Sequence, residues 1–139
     1  MARLGIIGGG AWGTALACVV RRAGGQAILW AREAEVVDAV NAGRGNPIYL
    51  PGVELEPGIT ATTDIAEAVD GIDTTLLVTP AQHLRAVASS MAPSLATSAT
   101  VVLCTKGIEQ KSCALMSEVV AETLPESPVA ILSGPTFAA

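Results

Sequence analysis

Near its start the chain reads Arg3-Leu4-Gly5-Ile6-Ile7-Gly8-Gly9-Gly10-Ala11-Trp12-Gly13. A short apolar strand runs straight into Gly-x-Gly-x-x-Gly, and an apolar helical pattern follows from Thr14 to Ala23. The glycine triplet alone is weak evidence. Between a strand and a helix it is the fingerprint of a dinucleotide-binding turn. The alternative is an ordinary glycine-rich turn with no ligand. Each glycine has its own task. Gly8 permits the tight turn off the strand, Gly10 lets backbone approach a pyrophosphate, and Gly13 lets the helix lie close on the strand. The helix start then offers unpaired N–H groups and the positive end of its dipole to the phosphates.

The 139 residues fit one domain. Half the chain is apolar but only 3% is aromatic, so the core must be Ala, Val, Leu and Ile. That filling suits helices laid closely on a parallel sheet. No apolar run approaches the ~20 residues that span a bilayer, and a strand with a glycine turn is no signal peptide. The expectation is a cytoplasmic chain. A net charge of −5 without a basic stripe argues against nucleic acid or an anionic membrane as partner. Cys18, Cys104 and Cys113 show no Cys-x-x-Cys spacing, so neither a disulfide framework nor a metal site is expected. Cys18 and Cys104 read as core. His83, the single histidine, belongs either to a site or to a helix surface near Pro80.

Periodicity predicts alternating strands and helices. Strands are expected at 3–7, 26–30, 59–62, 74–78, 100–103 and 129–132. Helices are expected at 12–23, 35–42, 81–91 and from Ser112 or Cys113 to Leu124. A short helix to Val69 opens at Asp64, with Glu67 as its capping-box partner. Residues 43–59, with three prolines, form an irregular loop. The order implies right-handed crossovers and an α/β, Rossmann-type doubly wound fold, a mostly parallel sheet with helices on both faces. Ligands bind such sheets outside the carboxyl ends of the strands. Gly8 to Gly13, Ala31 to Glu33, Thr79-Pro80, Thr105-Lys106-Gly107 and Ser133 to Phe137 should therefore gather along one rim.

An acidic residue at the end of the second strand commonly holds the adenosine ribose of NAD. Here Arg32 takes the first polar position and Glu33 the next. A guanidinium pairs with a 2′-phosphate through two hydrogen bonds. NADP(H) is therefore favoured, Glu33 leaves NAD(H) open, and a solvated charge opening the next helix is the plain alternative for Arg32. Lys106, one of two lysines, follows an apolar strand, where its charge could hold a phosphate or polarise a carbonyl. Ser133-Gly134-Pro135-Thr136 offers a close-approach glycine and a hydroxyl at another strand end, or simply a turn.

The motifs converge. Gly8-Gly9-Gly10-Ala11-Trp12-Gly13-Thr14-Ala15-Leu16-Ala17 resembles the opening of bacterial NAD(P)-dependent glycerol-3-phosphate dehydrogenase. So do Leu29-Trp30-Ala31-Arg32, Asn46 to Gly52, Thr105 to Glu109 and Ser133-Gly134-Pro135-Thr136-Phe137-Ala138, in the family's order. The resemblance implies reversible reduction of dihydroxyacetone phosphate to sn-glycerol 3-phosphate, the backbone of phospholipids. It implies cofactor contacts from Ala11, Trp12, Arg32, Tyr49, Lys106 and Ala138, and substrate contacts from Lys106, Gly134 and Thr136. Ala11 departs from the serine often found there, which preserves a backbone contact and removes a hydroxyl one. The family continues into a helical domain with the acid/base lysine, so residues 1–139 read as the cofactor-binding domain of a longer enzyme, a homodimer when full length, and are expected to be inactive alone. Two other readings are a non-catalytic NAD(H)-sensing module and a sibling dehydrogenase of another hydroxy acid.

Overall fold

The computed structural model describes residues 1–133. Short aliphatic runs give strands β1 (Arg3–Ile7), β2 (Gln26–Trp30), β3 (Ile59–Thr62), β4 (Thr74–Leu77), β5 (Thr100–Leu103) and β6 (Val129–Ile131). Helices α1 (Ala11–Arg22), α2 (Ala34–Asn41), α3 (Ile65–Val69), α4 (Leu84–Met91) and α5 (Met116–Thr123) alternate with them. A 3-10 turn, Ala81–His83, leads into α4.

All strand pairs are parallel, in the order β3-β2-β1-β4-β5-β6. The order reverses between β1 and β4, so their carboxyl ends flank a crevice. The register aligns those ends: Ile7 lies beside Trp30 and Leu77, Trp30 beside Thr62, and Leu77 beside Leu103. The loops expected at one rim are therefore gathered there, as far as Ser133.

Period-two alternation splits the core between the two faces. Ile6, Leu29 and Leu76 pack with Leu16 and Ala17 of α1 and Val36 and Val40 of α2. Ile7, Leu77, Val101 and Leu103 pack with Val69 of α3, Leu84, Ala88 and Met91 of α4, and Val119 and Val120 of α5. Fully burying each large aliphatic side chain is worth about 1.5–3 kcal/mol. Cys18 and Cys104 are buried as expected, and burial pushes the Cys104 thiol pKa up.

Strand boundaries follow the sequence reading to within a residue, and two helix starts do not: the helix expected from Ala81 runs first as the 3-10 turn to His83 and becomes α-helical at Leu84. The helix expected from Ser112 or Cys113 begins at Met116. Cys113 has φ +58°, and residues 108–115 close a turn through an Ile108–Leu115 bridge. A left-handed residue cannot sit inside a right-handed helix. The capping box at Asp64 is half formed. The Asp64 carboxylate accepts from the Ala66 N–H at 2.9 Å. Glu67 instead accepts from the Thr62 hydroxyl, which itself accepts the Asp64 N–H.

Candidate functional site

The turn from β1 into α1 is built by close backbone contacts. Gly8 has φ +137°, and a Cβ on it would stand 2.9 Å from Val78 backbone. A Cβ on Gly13 would stand 1.8 Å from the Gly8 carbonyl oxygen. A Cβ on Gly10 would meet nothing within 4 Å. Two glycines thus let backbone pack on backbone, and the third faces open space. α1 has no side-chain cap and no acidic residue in its first turn. Its first N–H groups have no intrahelical acceptor, and its positive end is uncompensated. At the far end Arg21 and Arg22 complement the dipole.

The second strand end forms one side of the site. Trp30 donates its indole N–H to the Thr63 carbonyl at 3.0 Å. The Arg32 side chain is 77% exposed and stands 3.4 Å from the Glu33 carboxylate. Tyr49 donates its hydroxyl to the same carboxylate at 3.0 Å, and the Glu33 hydrogen bond and charge push the phenol pKa up. Asn46 brings Tyr49 here. Its buried side-chain amide donates to the Gly9 carbonyl at 2.9 Å and to the Thr14 hydroxyl at 2.8 Å. Its carbonyl oxygen accepts the Tyr49 N–H at 3.1 Å. One buried amide therefore ties the irregular loop to the glycine turn.

The opposite wall comes from the end of β4 and the start of α4. Val78, Thr79, Pro80, His83, Ala86 and Val87 face the glycine turn across a cleft of about 520 Å³. Thr79 is 4% exposed, and its hydroxyl has no hydrogen-bond partner among the described residues. Farther along the rim, Thr105 donates to the Thr79 carbonyl at 2.7 Å, joining the β5 and β4 loops.

A dinucleotide fits these residues on geometry alone. The space over Gly10 is open, and the α1 N–H groups can take a pyrophosphate. Glu33 offers a ribose acceptor and Arg32 a phosphate donor. Among the described residues no helix is long and apolar enough to cross a membrane.

Gly8, Gly10, Ala11, Trp12, Gly13, Arg32 and Tyr49, each expected at the site, line this cleft. His83 satisfies both of its readings, an exposed turn residue that also lines the cleft. Lys106 is exposed on the β5 loop and is not part of the cleft lining. Gly134, Thr136 and Ala138 lie outside the described residues. Val87 carried no sequence signal of its own, Thr79 was expected at the rim only as a strand end, and Asn46 only as part of a family motif. Asn46 could have been found as the polar residue heading an Asn-Pro loop that had to be tied down.

The family model described as the NAD-dependent glycerol-3-phosphate dehydrogenase N-terminus matches residues 3–139. The chain is 54% identical over 138 residues to glycerol-3-phosphate dehydrogenase [NAD(P)+] of Paramagnetospirillum magneticum, covering 99% of this chain and 50% of that one. With the Rhodospirillum rubrum protein of the same description the identity is 56%, over 97% of this chain and 39% of that one. The crystal structure of glycerol-3-phosphate dehydrogenase from Coxiella burnetii superposes with a TM-score of 0.88 at 34% identity, covering 98% of this chain and 42% of that one. The chain thus spans half or less of the length of these relatives. With a family model matching almost from end to end and a sheet of the same form, the chain belongs to the NAD-dependent glycerol-3-phosphate dehydrogenase N-terminal family.

Proposed function

We propose that residues 1–139 are the NAD(P)-binding Rossmann domain of a glycerol-3-phosphate dehydrogenase whose helical catalytic domain lies in further sequence. The whole enzyme interconverts dihydroxyacetone phosphate and sn-glycerol 3-phosphate, works as a homodimer in the cytoplasm, and supplies the backbone of phospholipids. The observation that carries this reading is the open glycine turn over an uncapped helix start, at the point where the strand order reverses.

Backbone N–H groups at Ala11 and Trp12 hold the pyrophosphate, and Gly8, Gly10 and Gly13 shape its seat. Tyr49 and Arg32 flank the adenosine end. The exposed guanidinium of Arg32 supports a preference for NADP(H), and Glu33 beside it supports use of NAD(H). When bound, the nicotinamide supplies hydride chemistry. Lys106, at the carboxyl end of β5, meets cofactor and substrate phosphate. Gly134, Thr136 and Ala138 complete the rim by resemblance to the family. Reduction of a ketone also needs a proton donor near the oxygen, and the resemblance puts that lysine beyond Ala139.

The test separates domain from enzyme. Calorimetry should show NADPH binding to the 139-residue chain, while the reduced-nicotinamide absorbance stays constant with dihydroxyacetone phosphate present. The full-length enzyme should turn over. Lys106→Ala there should lose roughly 30- to 1,000-fold in kcat/KM, the 2–4 kcal/mol of a charged contact in a desolvated site. Robust turnover by the isolated chain would overturn the claim that its acid/base group lies elsewhere. A full-length enzyme active only on another keto compound would overturn the substrate.

A further inference from the structure

Residues 104–115 join β5 to α5 without a helix or strand of their own, apart from the single Ile108–Leu115 bridge. Lys106 sits in this segment. A loop of that kind needs external anchors to hold a side chain in one place. Thr105 is held to the Thr79 carbonyl at 2.7 Å, and beyond it the anchors come from one short stretch of the opposite wall. Gln82 donates its amide to the Ile108 carbonyl at 2.9 Å and accepts the Gln110 N–H at 3.0 Å. Arg85 grips both oxygens of Glu109, at 2.8 and 2.9 Å. The Glu109 side chain is only 11% exposed and also accepts from the Ser112 hydroxyl. The third nitrogen of Arg85 reaches Glu122 on α5 at 2.6 Å. Gly107, at φ +121°, completes the turn beside Ala81.

Gln82 and Arg85 are three residues apart and share a face. His83, Ala86 and Val87, on the adjoining face, line the dinucleotide cleft. One element thus presents an apolar wall to the cleft and a polar clamp to the Lys106 loop. We propose that Arg85, Glu109 and Gln82 are positioning residues that hold the Lys106 loop in register with the cofactor cleft. This rests on the reading that Lys106 meets the substrate phosphate.

The chain contains two lysines, so [15N]lysine labelling leaves one amide signal each for Lys106 and Lys111. Relaxation measurements on this chain should find the Lys106 amide ordered in the wild type and mobile on the nanosecond scale in Glu109→Gln and Gln82→Ala. In the full-length enzyme both variants should raise KM for dihydroxyacetone phosphate at least tenfold and change KM for NADPH less than twofold. Glu109→Asp should recover part of the loss. Asp64→Ala, which weakens the α3 cap far from this loop, should lower Tm and leave both KM values within twofold. An ordered Lys106 amide and an unchanged substrate KM in the clamp variants would overturn the positioning role while Lys106→Ala still impairs the enzyme. A silent Lys106→Ala would overturn the reading of Lys106, and the proposal with it. If Glu109→Gln does not fold, Gln82→Ala decides, since its side chain is exposed and lies outside the ion pair.

Discussion

Two glycines of one motif should answer mutation in opposite ways. Gly10 has φ −72° and ψ −176°, backbone that valine adopts freely, and a side chain there would enter space empty of protein. Gly10→Val should fold with an unchanged Tm and bind no dinucleotide by calorimetry. Undiminished affinity in the folded variant would make the loop a structural turn only. Gly13→Ala should damage the fold itself, because its Cβ would collide with the Gly8 carbonyl. Both roles were legible in the sequence, since the spacing after a strand assigns them. Arg32 was legible as a residue and not as a geometry. Arg32→Ala should cost NADPH about 1.5–3 kcal/mol, the worth of a hydrogen bond to a charged group, and leave NADH binding unchanged. Equal loss for both cofactors would remove the assignment. The bond from Tyr49 to Glu33 was not legible, because it joins residues brought together by a loop without periodicity. The buried Asn46 amide was hidden for the same reason.

At the scale of elements, strands were easier to read than helix starts. β1, β2 and β5 are aliphatic runs bounded by turn residues, and such runs have one way to be buried in a parallel sheet. α5 starts late because of the backbone angle at Cys113, which composition does not reveal. The segment before α5 is tied to α4 by an ion pair that makes a pH prediction. Arg85, and secondarily Ser112, hold the Glu109 pKa down to about 2. A carboxylate with a lowered folded-state pKa contributes stability above its unfolded value of about 4.3. That contribution is lost as pH falls from there toward about 2. Thermal melts between about pH 5 and pH 3 should therefore fall more steeply for wild type than for Glu109→Gln. Parallel curves would show that the pair adds nothing to folding. The sequence offered Glu109 only as part of a family motif, and its partner Arg85 lies 24 residues away on another element.

Across the whole molecule, the architecture was legible because alternating short strands and helices admit few parallel topologies. The outer edge was not. β6 is exposed along its length, with Ile131 at 68%, which its aliphatic composition does not reveal. The poverty of aromatic residues, which leaves the core aliphatic, has an optical consequence. The two tryptophans and the single tyrosine, Trp12, Trp30 and Tyr49, all line the dinucleotide cleft. Ultraviolet emission from this chain therefore reports the cleft and is nearly blind to the packed interior. Reduced nicotinamide absorbs where tryptophan emits, so NADPH should quench that emission along a saturation curve matching the calorimetric Kd, and Gly10→Val should abolish the quenching. Unquenched emission at saturating NADPH would put the dinucleotide elsewhere on the molecule. The domain carries its own lamp, and the lamp hangs in the doorway.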